Sequence, residues 1–158
     1  MKAYLDIETS FSGEITVIGI YRPTKGFVQL IRGEAGPDEL IDFLEGSLAI
    51  CTYNGSRFDL PVIKSKLGID LISDFESHDL MYDCWSQNLY GGLKAVEKKL
   101  GIARNLNGLN GYDALILWER YQKLNDREAL ETLLEYNRED VLNLPLLEEQ
   151  LFCLRDSK

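Results

Sequence analysis

The chain has 158 residues, 45% hydrophobic and 27% charged, a composition that excludes wholesale disorder and fits a single domain over residues 1–158. Its apolar runs are short, as at residues 115–118, so we expect no membrane-spanning segment, and the early acid Asp6 excludes a secretory signal. A formal net charge of −9 argues against nucleic-acid binding through a broad basic face, although divalent cations bound to clustered carboxylates would reverse the local field.

The N-terminal part of the chain predicts three strands. Residues 3–8 alternate between two faces of a strand: Ala3, Leu5 and Ile7 on one, and Tyr4, Asp6 and Glu8 on the other. Residues 14–21 and 26–31 are rich in β-forming residues, and a turn signal at residues 22–25 separates them. Consecutive strands with short turns predict an antiparallel meander.

The remaining chain predicts helices and two further strands. A helix opens at Pro37, where proline and acids suit the first turn, and runs to about Gly46. We then expect a strand over 48–53, a helix over 58–67, a short strand over 74–78, and helices over 80–88, 93–100, 113–123, 127–135 and from 136 onward. The capping-box spacing of Asn125 and Glu128 indicates a new helix start. This order predicts an α/β fold, a mixed β-sheet of three antiparallel strands and then parallel strands, flanked by helices.

Acidic residues at three separate places are candidates for chemistry. Asp6 and Glu8 leave the same face of a strand, either as metal ligands on a central strand or as a solvent-facing pair on an edge strand. Asp59 directly follows a strand, where α/β sheets gather ligands, or it merely favours the helix dipole. Tyr136 and Asp140 share a helix face, although the tyrosine could simply hydrogen-bond the aspartate, or the aspartate could pair with a surface arginine.

Together these acids predict a metal site. Hard carboxylate oxygens, with no histidine or cysteine beside them, select Mg²⁺ or Mn²⁺ over zinc. The three cysteines are far apart and odd in number, which argues against a disulfide framework and against a zinc site of paired cysteines. Such cysteine usage favours a reducing cytoplasm.

The chain contains three short motifs: Asp6-Ile7-Glu8-Thr9, Asn54-Gly55-Ser56-Arg57-Phe58-Asp59 and Tyr136-Asn137-Arg138-Glu139-Asp140. In order and spacing they resemble the motifs of the DEDD 3′–5′ exonucleases, which have the ribonuclease-H-like fold. The tyrosine before the last aspartate resembles the DEDDy branch, because the other branch has a histidine where this chain has Glu135. Within that branch the chain is most similar to the YprB-like predicted ribonuclease-H-like group, in which Tyr-Asn-x-x-Asp-Val is followed by Asn-Leu.

The resemblance implies a 3′–5′ exonuclease that uses two Mg²⁺ or Mn²⁺ ions and releases nucleoside 5′-monophosphates from DNA or RNA. Asp6, Glu8 and Asp140 would bind one ion, with Asp6 bridging to the second. Asp59 would reach the second ion through water. Tyr136 would orient the attacking water, and the path of a single-stranded 3′ end would be lined by Thr9, Asn54 and Phe58.

Two features depart from the family pattern. Pro145 lies within the last helix and should kink it beyond Asp140. The chain is also short and lacks an obvious additional nucleic-acid module, so a protein partner is expected to supply nucleic-acid affinity.

Several residues and functions stay open. Two basic sets, Arg57, Lys64 and Lys66 and then Lys94, Lys98 and Lys99, could contact substrate or form solvated helix faces, and solvated faces are commoner. Tyr82, Trp85 and Tyr90 could stack bases, although aromatic residues at helical spacing more often belong to a core. Asp79 and Asp113 are interpreted first as residues that begin helices and only second as functional residues. The alternative functions are a structure-selective endonuclease on the same fold and a non-catalytic module that binds nucleic acid or protein.

Overall fold

The centre of the structure, a computed structural model that describes residues 1–33 and 36–157, is a five-stranded sheet with the order β3-β2-β1-β4-β5. Its strands are β1 (Lys2–Thr9), β2 (Ile15–Arg22), β3 (Gly26–Ile31), β4 (Ala49–Thr52) and β5 (Glu76–Asp79). The first three strands pair antiparallel, whereas β4 pairs parallel with both β1 and β5. The predicted mixed sheet is therefore confirmed, with β1 at its centre.

Helices cover both faces of this sheet. Within the described residues they are α1 (Pro37–Leu44), α2 (Asp59–Leu67), α3 (Leu71–Asp74), α4 (Leu80–Ser86), α5 (Leu93–Leu100), α6 (Gly111–Leu124) and α7 (Arg127–Asp156). Ala3, Leu5 and Ile7 face the core shared with α1, α2 and α3. The opposite face of the sheet packs against α4, α5, α6 and α7. Across residues 1–33 and 36–157, no helix combines the length and apolar character that crossing a membrane requires.

The elements that differ most from the sequence prediction are α3, β5 and α7. The short helix α3 was not expected, and β5 begins later than the predicted residue 74. The segment 127–156 is one helix rather than two, and it continues through Pro145 because Leu144, Leu147 and Leu151 are all buried against the sheet. The predicted break before α7 is correct. The capping residue is Asp126 rather than Asn125, and its carboxylate accepts from the amide of Ala129 at 3.0 Å.

Gly19 allows α7 to lie close to the sheet. It pairs with Asp6 in the antiparallel register of β1 and β2. A Cβ atom at this position would lie 2.3 Å from Oδ1 of Asn137 and 2.8 Å from a methyl group of Val141. Because such contacts are sterically forbidden, a larger residue would push the helix away from Asp6. The absence of a side chain at Gly19 therefore positions α7 over the acidic end of β1.

Candidate active site

A single cavity of about 410 Å³ gathers all of the residues predicted for catalysis and substrate binding. They are Asp6, Glu8, Thr9, Asn54, Phe58, Asp59, Tyr136 and Asp140. The cavity is also lined by Ile7, Tyr53, Gly111 and Leu115, which the sequence did not single out. Residues from β1, the loop after β4, α2, α6 and α7 thus meet at one end of the sheet.

The acids of β1 face this cavity because they alternate along the strand with residues of the hydrophobic core. The strand lies at the centre of the sheet, so this face is covered. Asp6 and Glu8 are on the face covered by α7, opposite to the core positions Leu5 and Ile7. Glu8 is 8% exposed, and Asp6 is half-buried. The alternative of a solvent-facing pair on an edge strand is therefore wrong.

Asp59 reaches β1 because β4 is shorter than its neighbour. The pairing of β4 with β1 extends only from Lys2 to Tyr4, after which the chain turns away toward α2. The backbone amide of Ile7, free of β4, donates instead to Oδ1 of Asp59 at 2.9 Å. The Asp59 carboxylate thereby accepts the hydrogen bond that a neighbouring strand would otherwise accept from Ile7. This contact holds a buried carboxylate beside Asp6 and Glu8.

Helix α7 supplies the last carboxylate. Carboxylate oxygens of Asp6, Glu8 and Asp140 all lie within 4.8 Å of one another, a spacing that one metal ion can bridge. The donor set is made only of hard oxygens, which suits Mg²⁺ or Mn²⁺. Asp59 does not belong to this group of three, but its carboxylate lines the same cavity, where it could contact a ligand bound beside them.

A chain of amide hydrogen bonds orients Asp6. Nδ2 of Asn137, a residue with no exposed surface, donates to Oδ2 of Asp6 at 3.0 Å. Gln29 in turn donates to Oδ1 of Asn137 at 3.0 Å and to the carbonyl of Leu134 at 2.7 Å. The glutamine thus fixes which end of the Asn137 amide points to the aspartate. The sequence indicated Asn137 only as part of a motif and gave no signal for Gln29.

Two cations contact Asp140. Nζ of Lys94 donates to its two carboxylate oxygens at 2.8 and 2.9 Å, and the same ammonium lies 4.2 Å from the centre of the Tyr136 ring. The buried Arg104 also pairs with Asp140, while its Nε donates to Glu97 at 2.5 Å. Asp140 therefore has an arginine partner, as one alternative from the sequence proposed, but this arginine is buried rather than on the surface. The positive charges of Lys94 and Arg104 offset the negative charge of the Asp140 carboxylate.

The Tyr136 hydroxyl is free to act on a ligand. Tyr136 is 3% exposed, yet within residues 1–33 and 36–157 its hydroxyl makes no hydrogen bond to protein, Asp140 included. The alternative that the tyrosine serves only as a hydrogen-bond partner of Asp140 is therefore wrong. Burial and then the charges of Asp140, Glu8 and Asp6 raise the pKa of Tyr136 above its usual value, so the hydroxyl stays protonated.

Burial and nearby negative charges raise the pKa of three carboxylates, those of Asp6, Glu8 and Asp59. Burial, followed by the charges of Asp140, Asp59 and Glu8, raises the pKa of Asp6 well above its ordinary range. The pKa of Glu8 is raised by burial and by Asp140. Burial also raises the pKa of Asp59 to about 7, although the amide of Ile7 opposes the shift. A bound cation would relieve both causes, which is the electrostatic condition of a metal site.

Asp79 holds the loop that carries Asn54. Its carboxylate caps α4 through the amide of Met81 and also accepts from the amide of Asn54 at 2.7 Å and from the hydroxyl of Ser56 at 2.6 Å. Asn54 has a left-handed backbone with φ of 60°, which asparagine tolerates better than most residues. The predicted helix-start role of Asp79 is confirmed, and its second role in the loop was not foreseen.

The other candidate substrate contacts include lysines, which pair with groups on the protein surface, and aromatic residues, which are partly or largely exposed. Lys64, Lys66 and Lys99 are tied to Asp70, Glu14 and the carbonyl of Tyr90, respectively, on the protein surface. Tyr82 and Tyr90 are exposed, so the expectation that they belong to the core is wrong. The ring of Tyr82 lies edge-on to Trp85 at 5.3 Å, and the Arg57 guanidinium lies 5.8 Å from the Trp85 ring.

Comparisons with known proteins identify the family and the fold. The family described as the RNase_H superfamily matches residues 3–152. Among solved structures, the chain is similar to the family B DNA polymerase from the hyperthermophilic archaeon Pyrobaculum calidifontis, with a TM-score of 0.74 and 18% sequence identity. That alignment covers 96% of this chain but only 24% of the polymerase, so the likeness shows a shared fold. No curated protein matches the sequence.

Proposed function

This chain belongs to the RNase_H superfamily, and from that membership we propose that it is a metal-dependent 3′–5′ exonuclease of the DEDDy type, closest to the YprB-like group. It would hydrolyse phosphodiester bonds of DNA or RNA and release nucleoside 5′-monophosphates. The observation that carries the proposal is the meeting of Asp6, Glu8, Asp59, Tyr136 and Asp140 in one cavity.

The acids are proposed to hold two Mg²⁺ or Mn²⁺ ions. Asp6, Glu8 and Asp140 are close enough to hold one ion, and Asp6 together with Asp59 would help to hold a second ion in the same cavity. When bound, two such ions lower the pKa of a water and offset negative charge on the leaving oxygen. The side-chain amide of Asn137 orients Asp6 for this role.

Tyr136 is proposed to position the attacking water. A phenol whose pKa is raised by burial and by three neighbouring acids cannot serve as a base at neutral pH. Its hydroxyl has no hydrogen-bond partner among the described residues, which supports positioning by hydrogen bonding, and its ring lies in the same buried cluster as Trp118 and Leu133. The tyrosine thus contributes orientation rather than proton removal.

The terminal nucleotide is proposed to enter between Thr9, Asn54 and Phe58. Phe58 is 44% exposed although it lines the cavity, so one face of its ring is available for stacking on a base. Arg57, the residue before Phe58, has its guanidinium 5.8 Å from the centre of the Trp85 ring, and we propose that this pair adds to the stacking surface. Stacking on aromatic rings tolerates any base, which suits an exonuclease without sequence preference.

Substrate affinity remains opposed by the overall charge of −9. We therefore propose that a protein partner supplies part of the nucleic-acid affinity. We also propose that residues 1–158 act as one exonuclease domain and that the protein works in a reducing cytoplasm.

The direct test is digestion of single-stranded DNA and RNA labelled at the 5′ end, with Mn²⁺ or with EDTA. We expect a ladder of products shortened from the 3′ end in Mn²⁺ only, and no cleavage of a covalently closed circular strand. Cleavage of the circle would instead support the endonuclease alternative. Intact DNA and RNA in the presence of bound Mn²⁺ would support the non-catalytic alternative and overturn the proposal.

A second expected result concerns stability. Because the native protein holds protons on Asp59 up to about pH 7, against an ordinary value of 3.8, it binds more protons than the unfolded chain between these values. Metal-free stability should therefore fall as pH rises through this window. Millimolar Mn²⁺ should raise the melting temperature by mass action, and more at pH 8 than at pH 5.5, since protons compete with the metal.

The matched variant is Asp6→Asn, measured by the same thermal melts. It removes one of the repelling charges but keeps an oxygen that can accept from Asn137, so it should be more stable than the wild type without metal. It should also respond less to Mn²⁺. Identical melting curves in EDTA and Mn²⁺ for the wild-type protein would contradict a clustered metal site.

A further inference from the structure

A second group of metal-ligating side chains lies under the C-terminal half of α7. Cys51 is on β4, His78 on β5 and Glu148 on α7. Sγ of Cys51 lies 3.8 Å from Nδ1 of His78 and 4.0 Å from Oε1 of Glu148. The histidine nitrogen and the glutamate oxygen are 3.4 Å apart. These three donor atoms therefore face one another across three elements that are distant in sequence.

The triangle has the dimensions of a tetrahedral zinc site. Zinc bonds of about 2.3 Å to sulfur and about 2.0–2.2 Å to nitrogen or oxygen imply donor separations of roughly 3.4–3.6 Å. The observed separations differ from these by a few tenths of an ångström, which rotation of side chains can absorb. We propose that Cys51, His78 and Glu148 bind a Zn²⁺ ion at a site separate from the acidic cavity.

The surroundings of these ligands have the outer contacts that zinc sites use. Nε2 of His78 is 2.5 Å from Oδ2 of Asp83, which orients the ring and leaves Nδ1 toward Cys51 and Glu148. The hydroxyl of Tyr4 donates to the second oxygen of Glu148 at 2.7 Å, which orients the carboxylate with Oε1 toward Cys51 and His78. A carboxylate–histidine pair and an oriented glutamate together favour metal binding over a simple polar contact.

Two features of the ligand side chains oppose metal binding. Lys2 pairs with Oε1 of Glu148, but its side chain is 43% exposed and can turn into solvent. Burial, followed by the charge of Glu148, raises the pKa of the Cys51 thiol to about 12. Zinc binding therefore has to displace the Lys2 ammonium and release the thiol proton to water, as structural zinc sites commonly do.

The site is distinct from the proposed catalytic centre in place and in chemistry. Glu148 lies just over two helical turns from Asp140, roughly 12 Å along α7 at 1.5 Å per residue. Sulfur and nitrogen donors select zinc-like ions, whereas the all-oxygen cavity selects Mg²⁺ or Mn²⁺. The fourth coordination position would face a groove of about 510 Å³ lined by Lys2, Tyr4, Phe152 and Arg155. Bound Zn²⁺ would join β4, β5 and α7.

Cobalt is the probe that tests this site. Co²⁺ would be titrated into the Cys153→Ala variant, which removes the exposed thiol, in saturating Mg²⁺ that occupies the oxygen site. We expect one equivalent of Co²⁺ to produce a thiolate-to-cobalt charge-transfer band, and Zn²⁺ to abolish it by displacement. Mg²⁺ cannot give such a band, so the result is independent of nuclease activity. Absence of the band in the folded protein would overturn the proposal.

Variants identify the ligands. Adding Cys51→Ala should eliminate the band, whereas Cys84→Ala, which removes another fully buried thiol from the same core, should retain it. Asp83→Ala should weaken Co²⁺ binding by about 10–100-fold, the usual effect of losing an outer contact to a ligating histidine. If the Cys51 variant fails to fold, the partly exposed His78→Gln replaces it. A band that survives unchanged in either ligand variant would assign the metal elsewhere.

Discussion

Replacing Asp6, Asp59 or Asp140 by asparagine is expected to remove nearly all nuclease activity. Each change substitutes a neutral oxygen for a charged one in a site whose donors are carboxylates only. Metal ions supply several kcal/mol of charge stabilisation in such reactions, and about 4 kcal/mol corresponds to roughly 10³ in rate. Single-turnover cleavage of a labelled strand in saturating Mn²⁺ should therefore slow at least about 1,000-fold for each variant.

The three variants should differ in stability even though they agree in activity. Asp59→Asn keeps a side-chain oxygen that can accept from the amide of Ile7, so the fold around it should be retained. Asp140→Asn leaves the Lys94 and Arg104 cations with a neutral partner at this position, and the buried arginine then retains its ion pairs with Glu97 and Glu139 only. That variant should be the least stable of the three without metal, whereas Asp6→Asn should be the most stable.

The control for this series is Asp42→Asn, which makes the same chemical change at an exposed position of α1. It should cleave at the wild-type rate. Circular dichroism and thermal melts establish that each site variant is folded before its rate is compared. Full activity in any two of the site variants would place the cleavage chemistry outside this cavity.

Local sequence patterns predicted those parts of the fold and site that depend on strand or helix periodicity. The two-residue alternation from Ala3 to Glu8 fixes which face carries the acids, and the helical spacing of Tyr136 and Asp140 places both over one pocket. Asp59 follows β4 directly, so the end of a parallel strand brings it to the same edge of the sheet. These relations follow from backbone geometry alone.

Contacts between distant residues could not be predicted in the same way. Arg104 lies in the irregular segment between α5 and α6, where no periodicity indicates that it will be buried against Asp140. Gly19 has an ordinary extended position in β2, and its importance depends on where α7 crosses the sheet. Cys51 and His78 likewise have no distinguishing sequence pattern, and only the parallel pairing of β4 and β5 puts them side by side. Tertiary packing decides all of these features.

Removing a single oxygen from the site with Tyr136→Phe is expected to slow cleavage by about 10²–10⁴-fold, the usual contribution of a group that positions or transfers a proton. The ring should stay in place, because its packing in the core and its contact with Lys94 do not involve the hydroxyl. Since that hydroxyl makes no hydrogen bond to the described residues, stability should change by less than about 1 kcal/mol. Mn²⁺ affinity should also persist, because no metal ligand is altered.

Single-turnover rates in saturating Mn²⁺, measured together with Mn²⁺ titrations, distinguish positioning of water from loss of metal. The matched control is Tyr121→Phe, which removes a hydroxyl from the same hydrophobic cluster and should leave the rate unchanged. If Tyr136→Phe reduced the rate only at low Mn²⁺, the hydroxyl would instead be supporting the metal site. If it cleaved at the wild-type rate, the four acids would keep their proposed role, and the attacking water would have to be oriented by another group.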